Sequence, residues 1–271
     1  IYTLSLHDAL PIFAGMNVIS PTWFFLSDDD GNFVSIGSTD YVNKAHSRGL
    51  EVWALLDNFT YDVNTKEILS YTSKRAKLIE GLVNEALALG VDGINVDLEQ
   101  VSSEAGEDYV EFLRELSISC RANNLVLSVD NYVPKNYNAH YDWKEQGKVA
   151  GYGIIMGYDE HYGGSQEPGS VASIGYVEEG ISTMVQSVPP EKVINAVPFY
   201  TRIWETSGGE VKSQAVGMSA VQKFLSDRNI EAVWDEGTCQ NYAEVQEGGF
   251  FYQGWNEEAK SLGGKVNIMK S

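Results

Sequence analysis

The stretch Asp92-Gly93-Ile94-Asn95-Val96-Asp97-Leu98-Glu99 holds acidic and amide side chains at a spacing that can do acid–base chemistry. Along an extended strand, side chains alternate between faces with a period of two. Asn95, Asp97 and Glu99 then share one face, and Ile94, Val96 and Leu98 the other. An apolar row of this kind belongs under packed helices, which turns the polar row toward the interior. Unpaired polar groups there are costly unless they share protons or hydrogen bonds. Neighbouring carboxyls also raise one another's pKa, which is one way to keep a Glu protonated as a general acid. A surface strand with one wet side would alternate too, but the apolar row and the helix-like segments on either side argue against it.

Other side chains extend the set. Met156-Gly157-Tyr158-Asp159 adds a hydroxyl and a carboxyl at the end of another apolar run, and Asp57-Asn58 ends a third. Arg202 and Glu205 could contact a ligand or pair with each other. His161, beside Asp159 and Glu160, could be read as a metal ligand. A single His without a second at helical or strand spacing is a weak metal signal, so neither metal nor cofactor is expected. His46 reads as an exposed or capping residue on a helix.

These residues must be positioned by the elements around them. Six apolar runs recur, at 16–25, 50–59, 91–99, 124–133, 149–159 and 192–200. Each is rich in Val, Ile, Leu and aromatics, the signature of a buried parallel strand. Between them, 72–90 and 107–124 repeat apolar residues at helical spacing, the first ended by Gly90, and 39–49 is a shorter helix with Thr39 as its cap. Alternating strand and helix predicts an α/β fold, either a doubly wound sheet or a (β/α)8 barrel. No Gly-rich phosphate turn follows the first strand, as a doubly wound sheet would usually show. Polar and aromatic residues instead crowd the strand C-termini (Trp23, Asp57, Glu99, Asp130, Tyr158, Asp159, Tyr200), where barrels place active sites. A TIM barrel is therefore expected, with a small α+β insertion at about 205–250.

Composition narrows the partners. The 271 residues, 43% of them hydrophobic, can bury a sizeable core. Against 38 Asp+Glu stand 19 Lys+Arg, a net charge of −19, which excludes nucleic acid as a natural partner and disfavours anionic membrane surfaces. No apolar run is long enough to span a bilayer. Two cysteines, Cys120 and Cys239, imply no disulfide scaffold. The first twelve residues, IYTLSLHDALPI, read as the in-frame translation of a common sequencing adapter. Residues 1–12 are expected to be non-native and 13–271 a partial catalytic barrel, which removes His7 and Asp8 from consideration.

The acidic motif, together with Met156-x-Tyr158-Asp159, resembles glycoside hydrolase family 18, whose fourth strand carries Asp-x-x-Asp-x-Asp-x-Glu. Here it reads Asp92, Asn95, Asp97, Glu99, with Asn in place of the second Asp. The segments 20–24, 57–59, 156–173 and 197–204 look like the bacterial branch of spore-cortex-lytic and spore-germination hydrolases, in which Asn at this position is usual. The resemblance implies hydrolysis of a β-1,4 bond next to N-acetylglucosamine in peptidoglycan or chitin-like glycan, with the substrate's acetamido group as nucleophile. Glu99 would be the acid, Asp97 the partner of the acetamido group, and Tyr158 a hydrogen-bond donor to its oxygen. Asp92, Asn95, Met156, Asp159, Asp57, Asn58 and Arg202 would line the substrate site. Trp23, Trp204 and Trp255 would be candidates for sugar stacking, or equally for ordinary packing.

Two other classes stay open: a lectin-like, non-catalytic glycan-binding barrel, which the intact Glu99 disfavours, and a metal-dependent barrel enzyme with Asp92, Asp97 and Glu99 as ligands. The family implies an extracellular, cell-envelope or spore location and a monomer. Counted against the family, the visible strands are the second to seventh, so the chain as written is expected to be poorly soluble or inactive.

Overall fold

The computed structural model describes residues 15–270. The expectations for residues 1–12 lie outside the described residues, as does any strand beyond Ser271. The first elements in chain order are β1 (Val18–Ile19), β2 (Thr22–Leu26), β3 (Phe33–Ser35), α1 (Thr39–His46), β4 (Glu51–Asp57), α2 (Thr65–Ser70), α3 (Thr72–Leu89) and β5 (Gly93–Asp97). Next come α4 (Gly106–Ala122), β6 (Val126–Tyr132), α5 (Trp143–Val149), β7 (Tyr152–Met156), α6 (Ile174–Met184) and β8 (Val193–Ala196). The last are β9 (Tyr200–Ser207), β10 (Glu210–Gly217), α7 (Met218–Asp227), β11 (Val233–Asp235), β12 (Gln240–Glu247), β13 (Phe250–Asn256) and α8 (Ala259–Ile268).

All six apolar runs contain strands, with two differences at their edges. The run at 16–25 is broken into β1 and β2, because Pro21 between them has no N–H to give the ladder. Its carbonyl still accepts from Leu55 N at 2.9 Å. The run at 192–200 yields only β8, ending ahead of Pro198, and Tyr200 opens β9 of a different sheet. The helix read from Thr39 is capped one residue earlier, since Ser38 Oγ accepts from Tyr41 N.

The chain divides into two compact units. The first holds the described part of Ile1–Asn131 with Lys135–Ile154 and Ser187–Lys192. Its sheet runs β3-β2-β4-β5-β6-β7, with β2, β4, β5 and β6 parallel and β3 antiparallel at the edge. Every residue of β5 is buried, so both of its faces are covered. Ile94 and Val96 pair in register with Ala54 and Leu56 of β4 and with Leu127 and Val129 of β6, all buried. Leu78 and Leu82 of α3 and Phe112 and Leu116 of α4 are buried with them in the core. Helix α3 stops at Gly90, whose φ of 75° takes the left-handed conformation glycine adopts without strain.

The second unit holds Tyr132–Pro134, Ile155–Gln186 and Val193–Ser271. It contains the C-terminal end of β7 with β8 beside it, and an antiparallel sheet in the order β10-β9-β13-β12-β11. This sheet and α7 span Tyr200–Asn256 and enclose the 205–250 excursion read from the sequence. Val221 and Leu225 of α7 pack on Ala243. Beneath α8, Lys265 pairs with Glu257, and both side chains are 1% exposed. Glu257 also accepts from Gln240 Nε2 and Ser261 Oγ, each at 2.6 Å, so the buried carboxylate has donors on both oxygens.

Candidate active site

In the first unit, three adjacent strands bring their polar residues to one face. Asp57 of β4 and Asp97 of β5 are direct register partners, as are Asn95 of β5 and Ser128 of β6. Asp130 lies two residues past Ser128, hence on the same face. Asp57, Asn95, Asp97, Ser128 and Asp130 are all buried. Asn95 Nδ2 donates to Asp130 Oδ2 at 2.9 Å, and Asn95 Oδ1 accepts from Ser128 Oγ at 2.7 Å. Both oxygens of Asp57 are taken by Thr60, whose N–H and hydroxyl donate at 3.2 and 2.7 Å.

Asp97 is treated differently. Its Oδ1 is buried without a hydrogen-bond partner among the described residues, as is Oδ1 of Asp130. Burial first, then the charges of Asp130, Glu99 and Asp57, push the Asp97 carboxyl up to about 8. Asp130 is raised to about 7, again chiefly by burial, with the Asn95 bond pulling the other way. Near neutrality this pair therefore retains protons that exposed carboxylates would have lost.

Glu99 lies just beyond β5, half-buried at the start of a turn whose next residue, Gln100, has a φ of 53°. Its peptide is held on both sides by one side chain: Asn58 Oδ1 accepts from Glu99 N at 2.8 Å, and Asn58 Nδ2 donates to Glu99 O at 2.8 Å. A cleft of about 750 Å³ opens here, lined among others by Asn58, Phe59, Tyr61, Thr65, Glu99 and Gln100. That is the size of a small-molecule site. Phe59 and Tyr61 are each 43% exposed, leaving aromatic surface for a ligand.

The second unit gathers a separate group. Met156 ends β7 and is buried. Gly157 follows where a Cβ would meet Asn195 Oδ1 at 2.6 Å and Ala196 O at 2.8 Å, so this position admits only glycine without a shift. Tyr158 packs edge-on against Tyr200 with ring centroids 6.3 Å apart, and Tyr200 donates from its hydroxyl to Asp159 Oδ1 at 2.6 Å. Burial and that bond to Asp159 hold the Tyr200 phenol well above its ordinary range. Arg202 Nη1 donates to Ser213 Oγ at 3.0 Å.

Several residues assigned to a substrate site are used elsewhere. Asp92 sits at the other end of β5 from Glu99, roughly 20 Å away at the rise of a strand. Its Oδ2 accepts from Val52 N and bonds His46 Nε2, each at 2.8 Å, so Asp92 and His46 tie α1 to the sheet. Trp23 is 1% exposed with its ring against Tyr41 of α1, and is a core residue. Trp204 is also 1% exposed and donates from Nε1 to Gly169 O at 2.9 Å, offering no face for stacking. The amide of Asn58 is spent on Glu99 and on Thr65 Oγ1, and that of Asn95 on Asp130 and Ser128. A ring nitrogen of His161 is bonded to Ser170 O at 2.9 Å.

Ser128 and Asp130 were legible but unassigned, since Val126-Leu127-Ser128-Val129-Asp130 alternates just as the motif strand does. Phe59 closes the 50–59 run and belongs to the 57–59 segment that resembles the family's bacterial branch, but no role was assigned to it. Tyr61 carried no signal beyond being aromatic in a loop. Tyr141, which donates to Leu98 O at 3.2 Å and accepts from Val101 N at 3.1 Å, carried none.

Residues 13–271 match the family described as glycosyl hydrolases family 18. Among curated proteins, the chain is 26% identical over 222 residues to a cortical fragment-lytic enzyme of Bacillus anthracis, covering 79% of this chain and 51% of the relative. It is 27% identical over 212 residues to glycosylase YvbX of Bacillus subtilis, covering 73% of this chain and 60% of the relative. The chain thus spans about half to three fifths of the length of the curated relatives it matches. Among solved structures, the Bacillus cereus spore cortex-lytic enzyme SleL superposes with a TM-score of 0.83 at 24% identity, over 94% of this chain and 61% of that one. A chitinase from Chromobacterium violaceum gives 0.81 at 22% identity, over 91% and 80%. These superpositions establish a shared α/β TIM-barrel fold, and the match over 13–271 settles the family: the chain belongs to the glycosyl hydrolases of family 18.

Proposed function

We propose that this chain hydrolyses the β-1,4 bond next to N-acetylglucosamine in peptidoglycan, or in a chitin-like glycan, by substrate-assisted catalysis. Glu99 donates its proton to the leaving oxygen as the bond to the anomeric carbon breaks. The substrate's acetamido carbonyl oxygen attacks that carbon and forms an oxazolinium ion. Water then attacks the anomeric carbon with net retention, gives its proton to the Glu99 carboxylate and releases the acetamido oxygen. Asp97 accepts from the acetamido N–H and balances the positive charge that develops there. Tyr158, in the Met156-x-Tyr158-Asp159 segment that matches the family, is assigned to bond the acetamido oxygen.

The observation that carries this reading is Asp97 Oδ1, a buried acceptor without a partner, on a carboxyl whose pKa is raised. Such a group lacks a donor and a compensating positive charge. A bound acetamido group passing to an oxazolinium supplies both. Peptidoglycan is favoured by the names of the relatives, which also motivate a cell-envelope or spore location. No helix among the described residues is long and apolar enough to cross a membrane.

The test is to incubate the protein with muropeptides and with chitooligosaccharides, acetylated and deacetylated, and identify products by mass. Acetylated chains should be cut and deacetylated ones scarcely at all. Equal cleavage of both would eliminate the acetamido nucleophile.

A further inference from the structure

We propose that Asn58 is a positioning residue for the acid, setting the direction of the Glu99 side chain through its peptide backbone. This rests on Glu99 being the acid. Glu99 is past the last ladder residue of β5, so the sheet itself does not fix it. The chain turns at once through Gln100, a non-glycine residue with a φ of 53°, a conformation that persists only where its surroundings impose it. Asn58 and Tyr141 contribute to it. Asn58 closes a two-point bond on the N–H and C=O of Glu99, both at 2.8 Å, and Tyr141 bonds the flanking Leu98 O and Val101 N.

Asn58 is itself anchored, because its Nδ2 also donates to Thr65 Oγ1 at 2.8 Å, at the first residue of α2. A carboxamide donates and accepts at two separate atoms, which lets one side chain meet both the N–H and the C=O of Glu99. Without it, the backbone that carries the carboxyl loses the two-point bond at Glu99 N–H and C=O. Misplacement of a reacting group by about 1 Å is enough to cost on the order of 100-fold in rate.

A residue that acts through the acid leaves a signature that a general structural defect does not. Glycosides with a good leaving group need little protonation, whereas a sugar leaving group needs it fully. The experiment compares wild type, Asn58→Ala, Tyr141→Phe and Glu99→Gln on a chitooligosaccharide and on a nitrophenyl chitobioside, with melting curves for each. Asn58→Ala should lower kcat on the oligosaccharide by roughly tenfold or more, with KM within about twofold, and change the nitrophenyl rate by less than about threefold. Tyr141→Phe, which keeps the ring packed on Tyr109, should show the same pattern in milder form.

If Glu99→Gln shows the leaving-group dependence but Asn58→Ala and Tyr141→Phe lose both substrates equally, or neither, the positioning role is overturned. Should Asn58→Ala fail to fold, Tyr141→Phe decides. If Glu99→Gln itself shows no leaving-group dependence, the acid assignment falls first, and the role of Asn58 falls with it.

Discussion

Asn95 spends its amide on Asp130 rather than on Asp97, donating from Nδ2 to Asp130 Oδ2 at 2.9 Å. The two carboxyls that a shared donor would have linked are therefore solvated unequally. Asp130 has one neutral partner, whereas Asp97 Oδ1 has none among the described residues. The family's Asp at this position would offer a charge in place of that donor. Asn95→Asp should accordingly destabilise the fold by about 1–3 kcal/mol near neutral pH, since it leaves Asp130 unsatisfied beside a new buried anion. The deficit should narrow toward pH 4 as the carboxyls take up protons. Urea unfolding at the two pH values reads it, and a variant as stable as wild type at pH 8 would contradict this account.

Stability should fall as pH rises through the range set by Asp97. Its folded-state pKa, about 8, lies above the 3.8 of a free aspartate, so between those values the native state binds more protons than the unfolded chain. Stability is then fully present below about pH 4 and is lost progressively up to about pH 8, at no more than about 1.4 kcal/mol per pH unit for one group. Asp130, raised for the same reason, adds to the trend. The Asp97→Asn variant should flatten the slope while also depressing turnover. A melting temperature that climbs steadily from pH 5 to 8 in wild type would count against the assigned burial of this pair.

Glu99→Gln should reduce turnover of an oligosaccharide by about 100-fold or more, the lower end for loss of a general acid, and leave glycan binding nearly unchanged. Calorimetric binding alongside initial rates separates the two. Turnover close to wild type would remove Glu99 from the mechanism.

Gly157→Ala should destabilise by about 1–3 kcal/mol, because the new methyl meets the backbone oxygen of Ala196 and the amide of Asn195. Chemical denaturation reads this directly. If Ala is accepted without loss, the β7–β8 segment is looser than its packing implies.

The parallel sheet was legible because its central strands β4, β5 and β6 are buried on both faces, so each reads as a continuous apolar run that only a few polar residues interrupt. Those interruptions mark the site, as Asn95 and Asp97 do. The same rule applied to β6 yields Ser128 and Asp130. Asp92 was misplaced because the motif is one segment of sequence but two ends of a strand, and only the end with Glu99 meets the cleft. Of the two readings open for Trp23 and Trp204, their burial favours packing; a large ring satisfies a core as well as a binding face, and composition does not distinguish them. Asn58 was noticed for its place at a strand end. Its work is done on a peptide group, which no side-chain pattern reveals.

The charge pair beneath α8 limits where the chain can be trimmed. Glu257 is fixed in the interior by β13, whereas its counter-ion Lys265 arrives eight residues later on the final helix. A version ending anywhere between them would strand a carboxylate in the interior without its counter-ion, at a cost on the order of 3–5 kcal/mol. That is a large share of the stability of an ordinary domain. Expression boundaries for this protein therefore belong after Lys265.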